Sequence, residues 1–242
     1  MKLIVVRHAE PDYEHDSLTQ KGDREASLLV DKLSKLDVKA FYCSPLGRAR
    51  RTASFTLDKI GRTAEILPWL EEFRGRCEKP NTPGQVSICW DWLPQDWTKQ
   101  KLFYDKDRWY KAPELKGTNV HKEYLIVTQG LDELLAKHGY VREGGYYRAV
   151  RPNNDTIVLF CHLGVQAVFV SYLLGISPIV MLQGFSPAPS SVTTIVTEER
   201  VQGIASFRVL EYGSTEHLYV ASEKPSFAAR FCECFTNTDE RH

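Results

Sequence analysis

Two histidines and an arginine stand directly after apolar runs of the sequence. Residues 3–6 lead into Arg7 and His8, and Thr156–Cys161 leads into His162. A neutral imidazole can act as a nucleophile or carry a proton. A guanidinium is always charged and binds phosphate through two parallel hydrogen bonds. Together these side chains suit chemistry on a phosphate ester, which requires charge neutralisation and alignment above all.

A third apolar segment, Ala40–Cys43, ends in a stretch that is rich in arginine. Ser44 followed by Pro45 is typical of a helix start, with a capping oxygen and then a proline in the first turn. Arg48 and Arg51 are three residues apart and therefore share one face of that helix. Ligands of open α/β sheets bind beyond the carboxyl ends of the strands, so we expect these arginines beside the two histidines.

Short apolar runs flanked by helical patterns predict buried parallel strands. Thr19 is the candidate N-cap of the first helix, and Gly61, Gly139 and Gly175 are expected to end helices. The pattern predicts one α/β domain over residues 1–242, in which a mostly parallel sheet is flanked by helices in three α/β/α layers. The predicted elements are strands at 2–7, 40–43, 64–67 and 156–161, helices at about 20–36, 45–60, 120–138 and 163–174, and a hairpin of 192–198 with 205–212.

Residues 70–118 differ in character from the rest of the chain. All five tryptophans lie between positions 69 and 109, and residues 70–118 contain four prolines. We expect a cap insertion of short helices and loops at about 76–118. Its tryptophans, Trp90, Trp92, Trp97 and Trp109, are expected to line a lid over the substrate, to pack the insertion onto the domain, or to form a dimer interface.

The composition bears on the partners of the protein. The 242 residues are 43% apolar and carry a formal net charge of zero, so no overall field favours nucleic acid or an anionic membrane. The longest apolar stretch, roughly 165–174, is about half a membrane span, and the first residues lack the apolar region of a signal peptide. We therefore expect a cytoplasmic protein with no nucleic-acid or membrane partner.

Six cysteines are scattered along the chain. Cys43 and Cys161 end predicted strands, where a free cysteine behaves as a small apolar side chain. Cys232 and Cys234 form Cys-x-Cys, but no further ligands stand at the spacing that a metal site needs. We expect no metal site, and the sequence implies no organic cofactor.

Five segments of the sequence, taken in order, resemble motifs of the histidine phosphatase superfamily, whose fold is phosphoglycerate mutase-like. They span roughly residues 3–175 and comprise Arg7-His8-Ala9-Glu10 (Arg-His-Gly in the family), Leu18-Thr19-x-x-Gly22-x-x-x-Ala26, Ser44-Pro45-x-x-Arg48-Ala49-x-Arg51-Thr52-Ala53, Leu70-Glu71-Glu72-Phe73-x-Gly75 and Cys161-His162. Each segment alone is weakly specific, but independent chance would not place all five in this order.

The resemblance implies a role for each motif residue. His8 is the expected nucleophile and would form a phosphohistidine. His162 would donate a hydrogen bond to the phosphoryl oxygens in the transition state. Arg7 and Arg51 are expected to bind phosphate, because Arg51 matches the family position better than Arg48. Arg48 would either assist or remain a surface residue.

The resemblance also places an acidic residue after the third strand, to protonate the leaving oxygen. Glu71 and Glu72 both qualify, and the register of the family's Leu-x-Glu segment favours Glu72. Leu163 replaces a family glycine after the second histidine. It can still offer its N–H to the substrate but narrows the pocket, and the following helix would point further N–H groups at the anion.

The chain also departs from the family near the first motif. Ala9 replaces the family glycine, and Pro11-Asp12-Tyr13-Glu14 stands where many members carry threonine and asparagine contacts to phosphate. Loss of those contacts, with Glu14 nearby to repel phosphate, bears on the strength of catalysis and on the class of substrate.

The resemblance implies a phosphoric monoester hydrolase of the histidine acid phosphatase type. It would act on a small phosphorylated substrate and release inorganic phosphate without a metal or other cofactor. Two alternatives remain open: a phosphoglycerate mutase-type phosphotransferase, and a phospholigand-binding protein that has lost turnover. A homodimer is also open, and the sequence names no particular substrate.

Overall fold

The computed structural model describes residues 1–228, 234 and 236, which form twelve strands and seven α-helices. The strands are β1 (Lys2–Arg7), β2 (Pro11–Asp12), β3 (Ser17–Leu18), β4 (Ala40–Cys43), β5 (Glu65–Ile66), β6 (Arg76–Lys79), β7 (Thr82–Ile88), β8 (Tyr140–Glu143), β9 (Tyr146–Ala149), β10 (Thr156–Cys161), β11 (Val192–Val201) and β12 (Ile204–Ser214). The helices are α1 (Gln20–Leu33), α2 (Gly47–Ile60), α3 (Pro94–Trp97), α4 (Val120–Lys137), α5 (Leu163–Leu174), α6 (Pro178–Gly184) and α7 (Glu216–Val220).

Eight strands form the central sheet in the order β5-β4-β10-β1-β11-β12-β9-β8. The four strands from β5 to β1 pair in parallel. From β11 to β8 each strand pairs antiparallel with its neighbour. The predicted α/β fold with a helix-flanked sheet is confirmed. Three of the seven strand pairings are parallel and four are antiparallel, and the parallel half carries the predicted histidine and arginine segments.

Alternation along the central strands builds a core on each face of the sheet. In β1, Leu3 and Val5 join the larger core, which includes residues of α4 and α5. Ile4 and Val6 join a second core, which includes residues of α1 and α2. Both faces are covered, so these strands are apolar throughout. Each such side chain contributes roughly 1.5–3 kcal/mol when it is fully buried.

The helix ends follow the sequence signals at all but one of the predicted positions. Thr19 caps α1 by accepting a hydrogen bond from the backbone N–H of Gly22. Gly61 and Gly175 end α2 and α5 in the left-handed conformation. The predicted cap at Ser44 is wrong, because Leu46 is the N-cap and α2 begins at Gly47.

Two hairpins form in segments for which the sequence predicts no strand. β6 and β7 pair within the region expected to be a cap insertion, and β8 and β9 pair around the glycine-rich stretch 143–147. The second hairpin has a sequence signal, since Gly144 and Gly145 form a two-residue turn and Gly144 has a φ of +57°. The strands of the first are largely exposed, so no apolar periodicity marks them.

The tryptophans of residues 76–118 mainly join the domain core. Trp90, Trp92 and Trp109 are buried in the same core as α4 and α5, and Trp97 packs against it. This packing favours, among the three alternatives, a role in attaching residues 76–118 to the domain. A cap formed by residues 76–118 over the site remains a proposal.

Among the helices in the described part of the chain, none has both the length and the apolar character that a membrane span needs.

Candidate active site

Two parallel strands bring the histidines together. β1 and β10 pair with Arg7 opposite Cys161, so both strands end at the same level. The backbone N–H of His8 then donates to the carbonyl of Cys161 at 2.9 Å. The imidazole centroids of His8 and His162 lie 5.0 Å apart, with the rings tilted by 55°. The sheet edge thus places the two predicted histidines side by side.

His8 is held in one tautomer in a buried position. Its side chain is almost inaccessible to solvent, and Nδ1 lies 2.8 Å from the carbonyl oxygen of Ala9. A carbonyl only accepts, so Nδ1 carries the proton and Nε2 is the nitrogen with a lone pair. Burial, and then the guanidinium of Arg7, holds the pKa of His8 well below 6.5. His8 is therefore neutral at pH 7 and able to attack.

His162 is buried and tied to a serine that sequence reasoning did not place in the site. Its Nε2 lies 2.8 Å from Oγ of Ser44, and that Oγ accepts from the N–H of Leu46. The Ser44 hydroxyl can then donate to Nε2, which leaves a proton on Nδ1. Among the described residues, Nδ1 has no hydrogen-bond partner. Burial lowers the pKa of His162, and the neighbouring His8 imidazole and Arg48 guanidinium lower it further, because a second positive charge beside either would be repelled.

Arg7 and Arg48 are the arginines that the structure brings to this pair. Arg7 is buried, and its Nη1 donates to the carbonyl of Pro187 at 2.6 Å. Arg48 lies in the first turn of α2 and is largely buried. The charges of both guanidiniums contribute to the lowered pKa values of His8 and His162, so both lie near the histidines.

The structure corrects the expected place of Arg51. Its guanidinium makes a two-point ion pair with Asp23 at 3.0 and 2.8 Å and is about half exposed. Side chains of a helix lean toward its N-terminus. Because α2 begins at Gly47, Arg48 is the residue that reaches back to the strand end. Arg51, one turn later, reaches α1 instead.

Glu72 closes the site from the side of α5. One carboxylate oxygen, Oε1, accepts backbone N–H groups of Phe73, Gly164 and Val165 at 2.8, 2.8 and 3.2 Å. Burial raises the pKa of Glu72 despite these donors and the cations Arg7 and Arg48. A carboxyl with a raised pKa can hold a proton near neutrality. Its neighbour differs, because Glu71 pairs with the exposed Arg74.

The N-terminus of α5 is arranged differently from the expectation. Two of its N–H groups, of Gly164 and Val165, bind Glu72 rather than standing open to an anion. Leu163, the first residue of α5, is buried directly after His162. Gly164 is needed at this point, since a Cβ there would lie 2.8 Å from Oε1 of Glu72 and 3.0 Å from the ring of Trp90.

The loop after β1 contains the residues that differ from the family motifs. Ala9 donates its N–H to Oγ of Thr52 at 3.0 Å. Pro11 is buried and Glu14 is exposed. Tyr13 stands beside Arg48, whose guanidinium lies 5.4 Å from the ring centroid.

Within the described residues, no group of three or more histidine, cysteine, aspartate or glutamate side chains is placed to hold a metal ion. Cys43 and Cys161 are buried free thiols. Cys234 is half-buried, whereas Cys232, the other half of the Cys-x-Cys pair, lies outside the described residues.

Two known proteins with similar sequences are a phosphatase and a mutase. Phosphoserine phosphatase 1 of Hydrogenobacter thermophilus is 26% identical across 83% of this chain and 88% of its own length. A 2,3-bisphosphoglycerate-dependent phosphoglycerate mutase of Thermoplasma acidophilum is 34% identical across 36% of this chain. That match spans only 52% of the mutase.

Solved structures with the same fold are also phosphatases. A phosphoserine phosphatase of Entamoeba histolytica in complex with phosphoserine superposes with a TM-score of 0.56 and 19% identity, over 90% of this chain and 98% of that one. A mycobacterial glucosyl-3-phosphoglycerate phosphatase gives a TM-score of 0.59 and 16% identity, over 88% and 99%. At these identities the likeness shows the fold alone.

The family is shown by a comparison with whole-family models. The model of the histidine phosphatase superfamily (branch 1) matches residues 3–138, which is more than half of the chain. The match includes the strand that delivers Arg7 and His8, the first turn of α2 and the segment of Glu72. The chain belongs to the histidine phosphatase superfamily.

Proposed function

We propose that the protein hydrolyses phosphomonoesters through a phosphohistidine on His8, with no metal ion in any step. The observation that carries the proposal is the state of His8. Its Nδ1 is fixed on a carbonyl and its pKa is depressed, so Nε2 is a neutral nucleophile beside two guanidiniums. Membership of the histidine phosphatase superfamily and the phosphatase relatives support the same activity.

In the first step, Nε2 of His8 forms a bond to phosphorus while the bond from phosphorus to the ester oxygen breaks. Arg7 and Arg48 neutralise the phosphoryl oxygens, and Nδ1–H of His162 donates to one of them. The leaving oxygen takes a proton from the carboxyl of Glu72. The products of this step are the free alcohol and a phosphohistidine.

In the second step, water attacks the phosphohistidine. The ionised Glu72 removes a proton from the water, and the bond from Nε2 to phosphorus breaks. Inorganic phosphate leaves, and Glu72 is again protonated. The same carboxyl therefore serves as acid and then as base, which suits a group whose pKa is raised by burial.

The substrate is proposed to be a small phosphorylated molecule. Phosphoserine and glucosyl-3-phosphoglycerate are reasonable first members of a test panel, because similar proteins carry these substrates in their names. The mutase relative makes phosphoryl transfer between phosphoglycerates the second candidate. Because the mutase matches only 36% of this chain, hydrolysis is the first candidate.

The test measures release of inorganic phosphate from an aryl phosphate and from small phosphate esters, with EDTA present. We expect turnover by the wild type and none by His8→Ala. His138→Ala is a matched control, because His138 is a buried histidine that contacts Tyr42 outside the site. Unchanged turnover in His8→Ala would reject the mechanism. Conversion of 3-phosphoglycerate to 2-phosphoglycerate that exceeds hydrolysis would favour the mutase.

A further inference from the structure

Arg48 is gripped by a carboxylate that the catalytic steps do not use. Asp16 lies in the loop between β2 and β3. Its Oδ1 accepts from Nη1 of Arg48 at 2.7 Å, and its Oδ2 accepts from the backbone N–H of Gly47 at 2.6 Å. One side chain therefore holds both the first residue of α2 and the guanidinium that follows it.

The backbone at Gly47 and Asp16 allows this close contact. A Cβ at position 47 would overlap the carbonyl oxygen of Asp16, so only glycine allows the loop to come this close. Asp16 itself has a φ of +44°, a conformation that aspartate tolerates better than most residues. The loop thus meets the helix end in a fixed arrangement.

The ion pair with Asp16 leaves the Nε atom of Arg48 without a hydrogen bond among the described residues. This Nε is also buried. The guanidinium lies near enough to both histidines for its charge to lower their pKa values. The ring of Tyr13, on the same loop as Asp16, lies beside it. Nη1 is therefore engaged by Asp16, while Nε remains as a donor for a phosphoryl oxygen.

We propose that Asp16 is a positioning residue for phosphate binding. By fixing Nη1, its carboxylate holds the Nε edge of Arg48 toward the space beside His8 and His162. A long arginine side chain would otherwise lose conformational freedom when the substrate binds. In this chain the loop that lacks the family's threonine and asparagine contacts supplies an anchor for an arginine instead. The inference rests on the proposed function, since it assigns Arg48 to the phosphate.

The test combines kinetics with direct phosphate binding. Asp16→Ala is expected to lower kcat/KM about tenfold to a hundredfold and to weaken the binding of inorganic phosphate, measured by calorimetric titration. Asp16→Asn keeps the shape and one acceptor oxygen, so we expect a smaller loss. Asp23→Ala is the matched control, because it breaks the ion pair of Asp23 on α1 with Arg51 on α2, which lies away from the site. It should match the wild type.

A double-mutant cycle separates positioning from a general effect on folding. If Asp16 acts through Arg48, Asp16→Ala should cause little further loss in an Arg48→Ala background. Phosphate affinity equal to the wild type in Asp16→Ala, or losses that simply add in the double variant, would overturn the inference. Absence of turnover in the wild type would instead reject the proposed function, and phosphate titration would still decide the role of Asp16.

Discussion

Two buried carboxylates, in different parts of the molecule, resemble each other in their immediate bonding. Glu72 accepts N–H groups from its own segment and from α5. Glu25, on α1, accepts the N–H of Glu10 and the N–H of Ser226 near the end of the described chain. Burial is the largest influence on both groups, and it raises both pKa values, that of Glu25 to about 7.

What faces the two groups is different. The guanidiniums of Arg7 and Arg48 lower the pKa of Glu72 and also lie near the two histidines. Glu25 has Lys21 at 3.9 Å and the carboxyl of Glu10 nearby. A raised pKa is therefore not by itself a sign of catalysis. The convergence of a nucleophile, two cations and a proton donor distinguishes the site around Glu72 from the junction around Glu25.

The largest expected effect follows from exchanging the acid itself. Glu72→Gln removes the proton donor and should lower kcat about 10²- to 10⁴-fold on an alkyl phosphate. The loss should be smaller on an aryl phosphate, whose leaving group needs less protonation. Glu71→Gln is the matched control, because Glu71 pairs with Arg74, and it should keep wild-type kcat. Equal losses in Glu71→Gln and Glu72→Gln would remove the distinction between the two carboxyls.

The next effect tests which arginine serves the site. Arg48→Ala should lower kcat/KM about 10²- to 10³-fold, whereas Arg51→Ala should leave it near the wild-type value. Arg48 also lowers the pKa of Glu72, so its removal should raise that pKa. The alkaline limb of the kcat–pH profile, which reports loss of the Glu72 proton, should then move to higher pH. A shift to lower pH, or loss of activity in Arg51→Ala, would contradict this assignment.

The sequence could predict the strands of the site because they are buried on both faces. β1, β4 and β10 have the predicted bounds, since a short apolar run between helical segments indicates a buried strand. The expectation that Arg51 rather than Arg48 binds phosphate was wrong, and spacing could not correct it because residues three apart share a helix face. Only the actual helix start, at Gly47 rather than Pro45, decides which one reaches the histidines.

The supporting contacts of the site were beyond the sequence for another reason. Ser44 looked like a helix cap, yet its hydroxyl lies beside His162, which is distant in the chain. Asp16 carries no sequence signal for its contacts with Gly47 and Arg48. Such contacts depend on how separate elements meet, and local periodicity carries no information about that.

A smaller effect is expected where the backbone meets Glu72. Gly164→Ala would place a methyl group 2.8 Å from the Glu72 carboxylate, so the carboxyl must shift or the helix must move. We expect a loss of about 1–3 kcal/mol in the free energy of unfolding, with a fall in kcat. Gly184→Ala is the matched control, because nothing lies within 4 Å of a Cβ there. Equal melting temperatures in the two variants would show that the contact is loose.

The smallest effect on activity, and the clearest contrast, is expected at Glu25. Its pKa rises from 4.5 to about 7 on folding, so the folded state holds the proton more tightly than the unfolded state. The free energy of unfolding should therefore fall as pH rises from about 4.5 to 7, by roughly 3 kcal/mol from this group. Glu25→Gln cannot ionise and should lose that dependence while keeping most of the turnover. Its stability should lie below the wild type at pH 5, where a hydrogen bond is lost, and approach it at pH 8.

Urea unfolding at pH 5 and pH 8 measures this difference directly. The exposed Glu133→Gln is the control and should follow the wild type at both values. If Glu25→Gln kept the full pH dependence, a group other than Glu25 would be its source, and the raised pKa of Glu25 would be contradicted. If it lost turnover as completely as Glu72→Gln, the junction of α1 with residues 223–228 would have to be counted as part of the catalytic apparatus. Its link to the site would then run through Glu10, which follows Ala9 and whose N–H Glu25 holds at 3.0 Å.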